Sequence, residues 1–259
     1  MSTTSLNPWV VRFAPTASAR VRLLCFPHAG GGTSVWRPWS GTPGLPAWVE
    51  VAAIELPGHG TRSGEPLLTE NEQLVEALVE ALLPSIAEEG RALALLGHSL
   101  GGLLAFEVAR RLCQQHSPPL VVAIAACRAP QLPERSPTMP DDETLANQLR
   151  ATDTPAEALA GKLALVRAGY AVRLSYHYHP AEPLPCPIIV YGGREDSEVS
   201  QAELCGWGEQ ATERFQLHMF GGGHFFLHQS DVRSRVVQEL ALQLAREDAE
   251  ISSSAARRQ

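Results

Sequence analysis

No run of lysine or arginine appears in this 259-residue chain, and its net charge is −7. Such a sequence has nothing to lay along a phosphate backbone or an anionic lipid surface, which excludes nucleic acid and membrane as main partners. Nor does any apolar stretch approach the roughly 20 residues of a membrane helix. The best of them, Leu120 to Ala126, has the length of a buried strand. The amino end, Met1 to Phe13, lacks the charged start, apolar segment and small-residue cleavage site of a secretory signal, so a cytoplasmic protein is expected. C-x-x-C pairs are missing as well. Cys25, Cys113, Cys127, Cys186 and Cys205 are odd in number and scattered, as expected of reduced, mostly buried thiols rather than a metal or redox site.

What is present is apolar patterning. Hydrophobic residues make up 44% of the chain, enough for a sizeable core. Short apolar runs alternate with helical patterns, which predicts an α/β fold whose mostly parallel central sheet carries helices on both faces. Strands are expected at Val21 to Phe26, Val49 to Glu55, Ala92 to Leu96, Leu120 to Ala126, Pro187 to Tyr191 and Gln216 to Phe220, with Val10 to Phe13 as an antiparallel edge. Thr69 with Glu72 forms a capping-box pattern ahead of Leu74, Leu78 and Leu82. A second helix should run from Ser99 to about Cys113, and a last one from Ser230 with Val232, Val236 and Leu240 on its apolar face. Roughly sixty residues between Ala126 and Pro187 show no clear strand. Asp141 and Asp142, and later Thr154, Pro155 and Glu157, give helix-start signals there. The expectation is one domain over 1–259, with a helical lid insertion at approximately 130–182 and a flexible tail at approximately 248–259.

The chemistry concentrates in Gly97-His98-Ser99-Leu100-Gly101, where an apolar strand runs through G-x-S-x-G straight into a helix. A serine on so tight a turn needs glycines two residues before and after it, and the following helix aims its positive end at the site. Ser99 is the expected nucleophile. Of nine histidines, His224 sits in a glycine loop just past the final strand and is the candidate base, with His228 as the alternative. Glu195 and Asp196 follow the strand that starts near Pro187. Asp196 is preferred as the carboxylate that orients the imidazole, and Glu195 could also serve. An oxyanion hole would take backbone N–H groups from Leu100 and from Ala29, in the loop Phe26-Pro27-His28-Ala29-Gly30-Gly31-Gly32. That loop lacks the lysine of a G-x-x-x-x-G-K-[ST] phosphate loop and the G-x-G-x-x-G spacing, so nucleotide binding is not expected. His59 and His98 are read as packing or hydrogen-bonding residues, and Tyr176 to His179 as a helix end rather than a metal cluster.

These residues resemble the type II, or editing, thioesterases that accompany polyketide and nonribosomal peptide synthetases. The likeness rests on Phe26 to Gly31, Glu55-Leu56-Pro57-Gly58-His59-Gly60, the Ser99 motif, Gly193 to Val199 and Gly222-Gly223-His224-Phe225. It implies the α/β-hydrolase fold and hydrolysis of stalled or wrongly loaded acyl groups through an acyl-serine. The substrate would hang on the phosphopantetheine arm of an acyl or peptidyl carrier protein, met transiently by a monomer that needs no cofactor and no metal. A basic spot at Arg150, Lys162 and Arg167 would help that meeting. The chain departs from the family at Ala151 to Thr154, at Arg167-Ala168-Gly169 where the family shows Arg-Ala-Asp, and at Gly221, where proline is frequent. Alternative readings are a general carboxylesterase, a chain-releasing thioesterase or cyclase, and a carrier-binding protein without activity.

Overall fold

The computed structural model describes residues 7–257 except 134, 136–137, 151–158 and 213. Seven strands form one sheet: β1 (Val10–Arg12), β2 (Val21–Phe26), β3 (Val49–Ile54), β4 (Ala92–His98), β5 (Val122–Ala125), β6 (Ile188–Gly193) and β7 (Phe215–Phe220), in the order β1-β3-β2-β4-β5-β6-β7. Only β1 is antiparallel, pairing with β3 as the edge expected from its sequence. The helices are α1 (Asn71–Glu89), α2 (Leu100–Gln114), α3 (Asp142–Arg150), α4 (Leu159–Leu174), the short α5 (Gln201–Cys205) and α6 (Ser230–Arg257).

The inner strands are buried on both faces, and their period-2 geometry divides their side chains between two cores. Leu24, Phe26, Leu95, Ile124 and Val190 pack against α1 and α2 on one face. Leu23, Cys25, Leu96, Ala123 and Tyr191 meet Trp36, Trp39 and the α6 residues Val232, Val236 and Leu240 on the other. Glu50 is the polar exception within β3. Its side chain is wholly buried and ion-paired with Arg12, Arg22 and Arg91, an arrangement that a buried carboxylate needs to stay charged.

Two local expectations change. The Thr69 capping box does not form. Glu70 occupies the N-cap of α1 without a side-chain cap, and the Asn71 N–H donates instead to Ser175 Oγ at 2.8 Å, beyond the end of α4. Within the stretch approximately 248–259 expected as a flexible tail, α6 continues from Asp248 to Arg257, and 258–259 lie outside the described residues. Arg20 on Asp248, and Arg214 on Glu247 and Glu250, tie that part of the helix to the sheet. The helix start at Thr154 and the departures at Ala151 to Thr154 lie outside the described residues.

Between β5 and β6 the chain forms α3 and α4, which bury Leu145, Leu149 and Val166 against each other. Asp141 accepts from the Thr144 N–H at 2.8 Å and so caps α3 as its sequence predicts. The pair lies over the carboxyl ends of the strands. Among the described residues, no helix is long and apolar enough to cross a membrane.

Candidate active site

Strand order reverses between β2 and β4, and the loops that leave those two strands bound a crevice at the point where such sheets bind ligands. The loop after β4 is a single residue, Ser99, held at φ 54° and ψ −119° between strand and helix. Its N–H donates to the Ala125 carbonyl at 2.8 Å on the neighbouring strand. The flanking glycines are steric requirements. A Cβ on Gly97 would lie 2.0 Å from the Gly101 carbonyl oxygen, and one on Gly101 would lie 2.1 Å from that of Phe26. The tight turn therefore demands glycine on both sides and leaves the serine side chain facing the crevice.

The structure brings together the residues predicted from three distant segments. His224 Nε2 is 3.0 Å from Ser99 Oγ, and His224 Nδ1 is 3.0 Å from Asp196 Oδ2. The Asp196 side chain is 1% exposed, and its other oxygen accepts the N–H groups of Glu198 and Val199 at 2.8 and 3.1 Å. Three donors thus fix the carboxylate as an acceptor. Glu195 takes a different post, accepting the Gly222 N–H at the start of the histidine loop. His228 packs its ring 5.8 Å from His28 and 5.6 Å from Phe225. Glu198, which lies in the Gly193 to Val199 segment but has no role assigned from sequence, reaches within 3.8 Å of His224 Nε2.

Ala29 sits in a four-residue turn closed by the Gly31 N–H on the His28 carbonyl at 2.9 Å, with Gly30 at φ 72°. That is type II geometry, and it requires glycine at the third position. A Cβ on Gly30 would also run into Val166 of α4 at 2.2 Å. His28 Nδ1 donates to the Ala29 carbonyl at 3.0 Å, and burial lowers its pKa to about 3, so the ring is neutral. Leu100 opens α2, where its N–H has no acceptor within the helix. Both Ala29 and Leu100 line a cleft of about 490 Å³ beside Ser99 and His224. Leu149, Val166, Tyr170 and Arg173 from α3 and α4 form its roof. These roof residues carry no signature that sequence could reveal, because only packing selects them. A second cavity of about 340 Å³, lined chiefly by leucines and including His59, shares His28, Ala29, Leu100 and Gly169 with the first.

The remaining sequence candidates have structural posts. His59 Nδ1 donates to the Pro57 carbonyl at 3.1 Å. Tyr176 and Tyr178 hydrogen-bond Glu107 and Gln210, and among the described residues no group of three His, Cys, Asp or Glu side chains forms a metal site. Arg167 is ion-paired with Asp142, and Arg150 bonds Asn147 Oδ1 at 2.6 Å.

Comparison with known proteins identifies the family. A model of the thioesterase domain family matches residues 21–244. The gramicidin S biosynthesis protein GrsT of Aneurinibacillus migulanus is 35% identical over 235 residues, covering 87% of this chain and 90% of its own. The RedJ thioesterase of the prodiginine pathway in Streptomyces coelicolor superposes with a TM-score of 0.79 at 32% identity, covering 88% of this chain and 87% of its own. The type II thioesterase BorB from the borrelidin cluster does so with 0.81 at 29% identity, covering 91% and 97%. With its sheet, crevice and relatives in agreement, this chain belongs to the thioesterase domain family, enzymes of the α/β-hydrolase fold that hydrolyse thioesters.

Proposed function

We propose that this protein is an editing thioesterase, with Ser99 as nucleophile, His224 as base and then acid, Asp196 as the carboxylate that orients His224, and the Ala29 and Leu100 N–H groups as oxyanion donors. The observation that carries the assignment is the single imidazole bridging a serine hydroxyl and a buried carboxylate at 3.0 Å on each side. Ser99 Oγ attacks the thioester carbonyl as its proton passes to His224 Nε2. The C–S bond breaks, the proton leaves with the thiol, and an acyl-serine remains. Water then attacks that ester, giving its proton to His224, which returns it to Ser99 as the acid departs. Asp196, held by three donors, stabilises the imidazolium formed at each stage.

The substrate would be an acyl group on the phosphopantetheine of an acyl or peptidyl carrier protein, and the reaction needs no cofactor beyond that arm. GrsT is named for gramicidin S biosynthesis, and BorB as a type II thioesterase of the borrelidin biosynthetic cluster. The test is acid release from a panel of acyl-phosphopantetheinyl carriers beside matched thioesters of a small thiol. Faster turnover on carriers supports the reading, and turnover confined to simple esters would leave a general esterase.

The second cavity suits the acyl tail. Leu56, Leu67, Leu68, Leu165, Ala168 and Val172 give it apolar walls beside the proposed oxyanion donors. Placing leucine at Ala168 would occupy that space, where each displaced methylene of substrate is worth about 0.8 kcal/mol. The ratio of octanoyl to acetyl kcat/KM is expected to fall roughly tenfold in Ala168→Leu. An unchanged ratio would place the tail elsewhere.

A further inference from the structure

His98 takes no part in the steps above, yet its side chain is bonded to the main chain of His224 itself. It ends β4, one residue before Ser99, and is 2% exposed. Its Nε2 lies 2.8 Å from the main-chain carbonyl oxygen of His224. A carbonyl only accepts, so Nε2 carries the hydrogen. The loop that receives this bond holds three consecutive glycines, Gly221 to Gly223, with Gly222 at φ 107°. Left alone, that backbone would be among the freest in the chain. Main-chain bonds from the Glu195 and Phe226 N–H groups to the Gly222 and Gly223 carbonyls, each at 3.1 Å, close part of it, and two side chains hold its ends: Glu195 accepts the Gly222 N–H, and His98 donates to the His224 carbonyl.

The His98 ring is itself wedged. It lies 5.5 Å from the His224 ring, 5.6 Å edge-on from Phe225 and 5.5 Å edge-on from His28. Burial, assisted by the neighbouring His28 and His224 rings, pushes its pKa well below that of an ordinary imidazole. It is thus a neutral donor that adds no positive charge beside a ring that must itself become positive.

We propose that His98 is a positioning residue, whose Nε2–H fixes the peptide carbonyl of His224 and so keeps that imidazole in line with both Ser99 Oγ and Asp196. The proposal rests on the reading of His224 as the base. It makes the residue beside the nucleophile a tie between the two strand ends that must meet, β4 and β7.

The test compares His98→Leu, which keeps bulk and loses the donor, with His98→Gln, whose side-chain amide restores an N–H at similar reach. Kinetics on one acyl-carrier thioester are measured with the rate at which a fluorophosphonate labels Ser99, on protein shown to be folded by circular dichroism. The leucine variant is expected to lose 10- to 100-fold in kcat at nearly constant KM, the scale of a misplacement of about 1 Å. Labelling should slow in parallel, and His98→Gln should recover to within a few-fold of wild type. Equal losses in both variants, or unimpaired kcat in His98→Leu, would overturn the proposal. Should His98→Leu fail to fold, His98→Met carries the same comparison. A wild-type protein that neither hydrolyses thioesters nor labels at Ser99 would instead refute the reading of the site itself.

Discussion

Ser99→Ala is expected to reduce hydrolysis of an acyl-carrier thioester by at least about 10⁴-fold while the protein stays folded. Losing the nucleophile of a triad removes the covalent route entirely, and what survives is the binding and oxyanion contribution of the remaining site. Stability should change little for a specific reason. Ser99 already holds a side chain at φ 54°, and its fixed backbone contacts are main-chain bonds, its N–H to Ala125 and its carbonyl from Gly102 at 2.8 Å. Alanine keeps both bonds and the same Cβ, so the backbone strain is unchanged and only the hydroxyl is lost. Intact mass spectrometry after mixing with an acyl carrier should show an acyl adduct on wild type and none on the variant. Carrier affinity measured by titration should survive. Residual turnover near the wild-type rate would show that another group attacks the thioester.

The turn that presents Ser99 was legible because it is over-determined. A strand, two glycines with no room for a Cβ and a helix start leave a short sequence with few other folds available. His224 and Asp196 were legible through their place after β7 and β6, since a parallel sheet gathers the carboxyl ends of its strands at one edge. Spacing favours Asp196 over Glu195 but leaves both open. Both side chains meet the histidine loop, one at the imidazole and the other at the Gly222 N–H, and only the path of the loop decides which. Sequence marks His98 only as a packing or hydrogen-bonding residue, and the identity of its partner, 126 positions away, is a tertiary fact. The α1 cap failed for the same reason. A local Thr-x-x-Glu pattern lost to a hydroxyl from Ser175, 104 positions further along the chain. Composition likewise misread the end of α6, where a Ser- and Ala-rich stretch is extended as helix from a segment anchored by Arg20 and Arg214.

The second large effect concerns acid. His28 and His98 are 6% and 2% exposed, and both have pKa values pushed below the ordinary imidazole value of 6.5, to about 3 for His28. The cause is burial first. His28 Nε2 has no hydrogen-bond partner among the described residues, so a proton there would place an unpaired cation between the two cavities. A folded-state pKa below the unfolded value means that the unfolded chain binds the proton better. The stabilisation is therefore complete above about pH 6.5 and drains away as pH falls toward the folded values. His28, with a folded pKa of about 3, costs about 2 kcal/mol between pH 7 and pH 5, and His98 adds to the loss with the same sign. His59, shifted the same way by burial, adds to the loss with the same sign. Against a net stability of roughly 5–15 kcal/mol, the His28 contribution alone is enough to lower the thermal midpoint by about 4–8 °C. Thermal melts at pH 7.0 and 5.0 measure it directly, and equal midpoints would mean that these imidazoles take up protons in the folded protein. His98→Gln, which removes one of the two strongly buried groups, should show a smaller loss than wild type, separating the burial of the imidazole from the contact that it makes.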